Sequence, residues 1–261
     1  MIKGTGSEPL LEVRALQKVF GGIVAVDEVS FEVRSREIVA IIGPNGAGKT
    51  TLFNLLSGLY TPDHGEVLFR GRSLRGIKPF QIAEQGLART FQNLQIFANM
   101  TVLENVMVGR HLQSGYGILP AAFRLPSARR EEQAIRDRAR HFLALAGLHE
   151  RADEMAGNLS FGEQRRLEIM RALATEPVLL LLDEPGAGLA REEVEDLDDL
   201  IRQIRDDGGT ILLVEHDMEL VMGIADRVIV LNHGKKIAEG DPDTVQQDPA
   251  VILAYLGDAW E

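Results

Sequence analysis

The sequence predicts an α/β domain: a doubly wound, mostly parallel sheet, with an antiparallel β portion on its N-terminal side and an inserted, mostly helical lobe. Three observations predict it. Short apolar runs at 38–42, 178–182 and 210–214 alternate with stretches at 49–57, 161–174 and 191–206 whose apolar residues recur at helical spacing, an alternation that implies a parallel sheet. The first run passes without a gap through a glycine-rich loop into its helix, the strand–loop–helix order of a ligand-binding unit. Residues 111–130 carry two glycines and two prolines and interrupt the helical patterns on either side, as an inserted loop would.

Taken in order, LLEVRAL, VSFEVRS and EIVAIIG are β-type runs separated by turn signals at Gly21-Gly22 and around Arg36. Leu52, Leu55 and Leu56 then mark the helix of 49–57. After the inserted loop, Ile135, Ala139, Phe142, Leu143 and Ala146 predict an amphipathic helix over 131–148 that Gly147 can end. Val194, Leu197, Ile201 and Ile204 share one face of the helix at 191–206. DRVIVLNHGKKIAEG reads as a hairpin, followed by a short helix near 249–256. The expected organisation is one domain, 1–261, with roughly 1–90 and 160–261 as a core and roughly 91–159 as a helical subdomain.

Composition narrows the function classes. Hydrophobic residues make up 45% and charged residues 26% of the 261 positions, a balance that excludes a disordered or fibrous chain. Lys and Arg number 28 against 39 Asp and Glu, a net charge of −11, so non-specific binding to nucleic acid or anionic lipid is disfavoured. With no cysteine there is no disulfide framework or thiolate metal site, and a cytoplasmic setting is expected. The apolar runs at 38–42, 178–182 and 228–231 fall far short of the roughly 20 residues a spanning helix needs, and the N-terminus lacks the apolar stretch of a signal peptide.

Gly43-Pro44-Asn45-Gly46-Ala47-Gly48-Lys49-Thr50 fits the phosphate-loop pattern, in which glycines let backbone N–H groups curl around α- and β-phosphates. The helix that follows points its positive end at the same phosphates. Lys49 can reach the β- and γ-oxygens and the Thr50 hydroxyl can ligate Mg²⁺. The alternative is a glycine-rich turn with a capping threonine; the buried strand before it and the helix after it favour the phosphate reading. VLLLLDE at 178–184 is an apolar run that ends in two adjacent carboxylates, at the strand edge where open α/β sheets form ligand crevices. Asp183 can orient Mg²⁺ and its water there, while Glu184 can position or deprotonate the attacking water. His216 follows another buried run, TILLVE, and at the same edge its imidazole could hydrogen-bond the γ-phosphate or hold Glu184 in place. Ser160 and Glu163 satisfy a capping box at the start of the helix 161–174. Two readings stay open: the pair merely satisfies free N–H groups, or Gly162 bares the first turn so that a phosphate can rest on it.

The order of GPNGAGKTT (43–51), Gln92 in ARTFQN, NLSFGEQRR (158–166), LLLLDEP (179–185) and the EHD of 215–217 resembles the ATP-binding cassette family, over nearly the whole chain. The resemblance implies a P-loop NTPase core, ATP and Mg²⁺ as ligands, and ATP hydrolysis coupled to transport. FGGIVAVDEVSFEV, IAEQGLARTFQNLQIFANMTVLENV, EQRRLEIMRAL and ILLVEHDMELVMGIADRVIVLNHG are similar, more narrowly, to the ATP-binding subunits of branched-chain amino-acid importers.

Carried over residue by residue, the resemblance makes Phe20 the aromatic that stacks on adenine, with a core or turn phenylalanine as the alternative. It adds Thr51 to the phosphate loop, and makes Gln92 the residue that touches Mg²⁺ or water and senses the transmembrane partner. Ser160, Phe161, Gly162 and Glu163 would contact the ATP held by a second cassette, identical or a paralogue, so that two chains sandwich two nucleotides. It further implies separate permease subunits, a solute-binding protein acting indirectly, and a peripheral position on the cytoplasmic face of the inner membrane. Three departures stand out. Phe161 stands where the family has a second glycine, and Glu163 where it has glutamine, so Glu163 is expected to cap its helix or accept from ribose hydroxyls. Ala190 replaces a polar residue in the PGAGLA segment. The apolar GILPAAF within 111–130 is a candidate for docking a partner, or an ordinary surface insertion. Other importers, of urea or amides, and a soluble cassette acting on DNA or ribosomes are the alternative functions.

Overall fold

The structure, a computed structural model, describes residues 8–110 and 126–257. Among the described residues ten strands form two sheets. The first is antiparallel and built from β1 (Leu11–Phe20), β2 (Ile23–Val33), β4 (His64–Phe69) and β5 (Arg72–Ser73), in the order β2-β1-β4-β5. The second has six strands: β3 (Ile38–Ile42), β6 (Leu87–Arg89), β7 (Leu179–Asp183), β8 (Ile211–Val214), β9 (Arg227–Asn232) and β10 (Lys235–Gly240), in the order β10-β9-β3-β8-β7-β6. All its pairings are parallel except the β9–β10 hairpin.

The apolar runs fall in its centre because both faces are covered. Along β3, Ile38, Ala40 and Ile42 enter one hydrophobic cluster and Val39 and Ile41 the other. Along β7, Leu180 and Leu182 face the first cluster and Leu179 and Leu181 the second. Successive side chains leave a strand on opposite sides, so a strand buried on both must be apolar throughout.

One face is covered by the antiparallel sheet and α1 (Lys49–Leu56), which adds Leu52, Phe53, Leu55 and Leu56. The other is covered by α3 (Val102–Arg110), α4 (Pro126–Leu145), α5 (Phe161–Leu173) and α6 (Arg191–Asp206). Short helices α2 (Pro79–Glu84) and α7 (Met218–Ile224) link strands, and after β10 α8 (Pro242–Gln246) leads to α9 (Pro249–Gly257), which closes the described chain. Between β6 and α5 the described residues form α3, α4, two 3-10 turns and a single Thr101–Met155 bridge. The helix expected from 131 begins at Pro126. The stretch 117–123 proposed for docking lies outside the described residues.

Candidate functional site

The register of three neighbouring parallel strands gathers the sequence-predicted residues. Ile41 of β3 pairs with Val214 of β8, and Val214 with Asp183 of β7. The loop that starts at Gly43, the carboxylates of Asp183 and Glu184, and the Glu215-His216 pair therefore leave one edge of the sheet side by side. That is the carboxyl edge, where doubly wound sheets hold ligands.

At the loop, Gly48 has φ 101°, and a Cβ there would lie 2.3 Å from the Ala25 carbonyl oxygen, so no other residue fits. Gly48 is also the N-cap of α1 and offers no side-chain acceptor, whereas α5 and α7 are capped by Ser160 and Asp217. The first-turn amides of α1 and its positive end are thus free of a capping side chain, as an anion site requires. Asn45 and Gly46 are exposed at the tip, Gly43, Pro44 and Ala47 are buried, and Thr50 and Thr51 follow in the first turn. Lys49 Nζ donates to the carbonyl oxygens of Gly43 at 2.6 Å and Pro44 at 3.0 Å. Burial pushes its pKa down, opposed by the charges of Glu184 and Glu215.

Asp183 is buried at the end of β7 and accepts from Arg89 Nη2 at 2.7 Å on Oδ2. Glu184 takes φ 47°, a left-handed conformation that costs about 1–3 kcal/mol for a side chain of this kind and concentrates at functional sites. Gln92 Nε2 donates to Glu184 Oε2 at 2.9 Å. His216 lies against Glu215 instead, Nδ1 to Oε2 at 3.7 Å. Of the two tasks offered to His216, holding Glu184 is performed here by Gln92. Glu215 is fully buried and accepts from the amides of Gly186 at 2.7 Å and His216 at 3.1 Å. Burial pushes its carboxyl above the ordinary range, with those amides opposing.

The loop after β6 is gripped by α5. Arg165 donates to the carbonyls of Phe91 at 3.2 Å and Gln92 at 3.1 Å and pairs with Glu168 at 2.9 Å. Glu168 in turn accepts from the Gln95 amide at 3.0 Å. This loop, α2, α3 and α5 enclose a mainly apolar groove of about 690 Å³, lined among others by Leu59, Ile82, Phe91, Ile96, Phe97 and Val108.

At the head of α5 the capping box is complete: Ser160 Oγ accepts from the Glu163 amide at 3.2 Å, and Glu163 Oε2 from the Ser160 amide at 2.8 Å. Glu163 also pairs with Arg151. Burial alone would raise its pKa, but the Arg151 and Ser160 donors outweigh it and hold the carboxyl below its ordinary value. Of the two readings of this turn, the capping one describes the chain by itself, and the turn is not bare. Gly162 is buried and its N–H donates to Glu193 Oε1 at 3.2 Å, while Glu193 Oε2 accepts from the Ala190 amide at 3.1 Å. The reason is the fold of 185–190, which brings the first turn of α6 against that of α5, with the Phe161 ring over Gly188.

Phe20 ends β1 with 41% of its surface exposed, so it is not a core residue. Tyr60 meets its ring edge-on with centroids 5.3 Å apart, and Lys18 Nζ lies 5.3 Å from its centroid. Tyr60, Lys18 and Glu193 lie outside every motif of the sequence, and Arg89 lies within ARTFQN without a role of its own there; their neighbours in space give them one.

Among the described residues no cluster of three His, Asp or Glu could hold a metal. The donors available, a threonine hydroxyl, one carboxylate and one amide, fit Mg²⁺, which is commonly held by one or two carboxylates together with substrate phosphates.

A family model described as ABC transporter matches residues 26–187, and one described as branched-chain amino acid ATP-binding cassette transporter matches 235–261. The chain is 49% identical to the high-affinity branched-chain amino acid transport ATP-binding protein LivG of Salmonella typhimurium, covering 97% of this chain and 100% of that one. To the corresponding protein BraF of Pseudomonas aeruginosa it is 44% identical, with the same coverage. Among solved structures, the ADP conformation of an ATP-binding cassette of an ABC transporter superposes with a TM-score of 0.83 at 34% identity, covering 96% of this chain and 100% of that one. A dimeric, post-hydrolysis cassette bound to ADP and Pi gives 0.75 at 26%, covering 89% and 98%.

Proposed function

The chain belongs to the ABC transporter family, and from that premise we propose that it is the ATP-hydrolysing subunit of an importer for branched-chain amino acids. The observation that carries the catalytic part is the shared strand edge, where the Gly43–Thr51 loop, Asp183-Glu184 and His216 emerge together. The solute is supported by the near-full-length likeness to LivG and BraF.

In this reading the amides of the loop and of the first turn of α1 bind the phosphates, and Lys49 leaves the Gly43 and Pro44 carbonyls to neutralise the β- and γ-oxygens. Phe20 stacks on the adenine. Thr50, Asp183 and Gln92 would hold Mg²⁺, which neutralises charge developing on the phosphates. Glu184, held by Gln92, orients the attacking water and takes its proton. Ser160, Phe161, Gly162 and Glu163 face the nucleotide of a second cassette, so the working unit is a dimer. One nucleotide-binding domain, with 1–90 and 160–261 as catalytic core, serves each site. No described helix is long and apolar enough to cross a membrane; separate permease subunits dock in the groove beside Phe91 and hold the cassette peripherally at the cytoplasmic face.

Glu184→Gln should retain ATP binding while hydrolysis slows by about 10²–10⁴-fold, the range for loss of a general base, and the variant should accumulate as an ATP-dependent dimer on sedimentation. Lys49→Ala should lose nucleotide affinity. Unchanged turnover in Glu184→Gln would remove the assigned role. Reconstitution with the permeases that co-purify with this chain, followed by uptake of labelled leucine and urea, decides the solute: transport of urea alone would overturn the amino-acid assignment.

A further inference from the structure

We propose that Arg89 is a positioning residue for the divalent cation of this site: its guanidinium sets the orientation of the Asp183 carboxylate and its distance from Thr50. The inference rests on the nucleotide-hydrolysing reading and extends it to a residue that touches neither nucleotide nor metal.

Arg89 ends the edge strand β6, and its side chain and that of Asp183 are only 7% and 4% exposed. A buried ion pair is weak evidence for stability, because an apolar replacement of equal volume is often neutral or better. Its presence at the carboxyl edge of the sheet therefore calls for a reason other than folding. The bonds supply one. Nη2 donates to Asp183 Oδ2 at 2.7 Å, and Nη1 donates to Asn54 Oδ1 at 2.9 Å and Ser57 Oγ at 2.6 Å. Asn54 lies on α1 and Ser57 is its C-cap, so one planar cation braces the helix that carries Thr50 against the strand that carries Asp183. Phe53 and Phe91 flank the same group, their ring centroids 5.6 and 5.1 Å from Cζ, which leaves the fork little freedom to turn. Lysine, a point donor, could not make this set of contacts. Arg89 bonds Oδ2 of Asp183, whereas Oδ1 has no protein hydrogen bond among the described residues, so the carboxylate is fixed in rotation with one oxygen available. Groups of this kind behind a metal-binding carboxylate commonly control affinity by about 10- to 100-fold.

Phe91 also lines the apolar groove. An occupant that moves this ring thereby acts on the Arg89 fork and, through it, on Asp183.

The test uses the full chain and a fluorescent ATP analogue, titrated first in EDTA and then against Mg²⁺. In Arg89→Met, affinity in EDTA should stay near that of the parent while the half-saturating Mg²⁺ concentration rises about 10- to 100-fold. Arg89→Lys should show the same direction of change, since it keeps the charge and loses the fork. Ser57→Ala, which removes a single hydroxyl, should shift the Mg²⁺ midpoint less and leave the circular dichroism spectrum intact; it decides the question if Arg89→Met does not fold. An unmoved Mg²⁺ midpoint, or equal losses in EDTA and Mg²⁺, would overturn the assignment and leave Arg89 a structural brace. Absence of nucleotide binding by the parent chain would overturn the underlying reading as well.

Discussion

Asp198 on α6 is a charged residue with no part in the site, and its surroundings give it a measurable signature. Its Oδ1 is buried without a partner, and burial pushes its pKa up to about 6. Arg202 pulls the other way, and Asp199, Asp217 and Glu215 add to the rise. The folded pKa lies above the ordinary aspartate value of about 3.9, so between the two values the folded chain binds more protons than the unfolded one, and stability falls as pH rises through that window. Asp198→Asn cannot ionise and escapes this cost. Its melting temperature should exceed that of the parent at pH 8, and the advantage should shrink steadily toward pH 4; a constant difference across that range would refute the account. Legibility at this scale follows from spacing. Lys49, Asp183 and Glu184 are fixed relative to a strand end, and the strands are readable, so their meeting is too. Gln92 emerges from β6, a strand of three residues, and its bond to Glu184 becomes visible only in three dimensions. Arg89, Glu193 and Tyr60 act through partners 94, 31 and 40 positions away, which no local pattern encodes.

Among the elements, the first turns of α5 and α6 face each other and share one acceptor. One carboxylate, Glu193, serves the amides of both Gly162 and Ala190. Ala190 has no side-chain acceptor for its own helix, so Glu193 supplies from inside the helix what an N-cap residue normally would. A Cβ on Gly162 would fall 2.5 Å from Glu193 Oε1, which explains the glycine without reference to a nucleotide. In the closed dimer proposed above, the same amide faces the partner's phosphates, and Glu193 stands beside them as a like charge. Glu193→Gln, in a Glu184→Gln background, should tighten ATP-dependent dimerisation roughly fivefold, the equivalent of about 1 kcal/mol for one charge in a solvated setting. Analytical ultracentrifugation at two salt concentrations checks this; weaker association in the glutamine variant would show that the carboxylate supports the interface. Periodicity located α6 to the residue, because four apolar positions on one stripe define it. It missed α2, α7 and α8, which have only five to seven residues, too few for a helical period to register.

Across the whole molecule, the sheet has unequal margins. β3, β8 and β7 each hydrogen-bond on both sides, while β6 bonds to β7 alone over Leu87, Ala88 and Arg89. The alternation of apolar runs and helices made the parallel core legible, but the order of strands and the position of this short edge came only from the coordinates, since no run of three residues announces a strand. β6 is nevertheless the strand from which Arg89, Phe91 and Gln92 emerge. A ribbon stitched along one selvage opens more readily than those stitched along two, and local opening need not involve the global transition. Deuterium should therefore enter the backbone of 86–92 well before that of 38–42, in a native protein whose bulk is still fully protected. If both segments exchanged together, the signalling strip would be as rigid as the frame that carries it. A faster strip would mean that the molecule keeps a pliable seam between the groove proposed for a partner and the edge where a bond is cut.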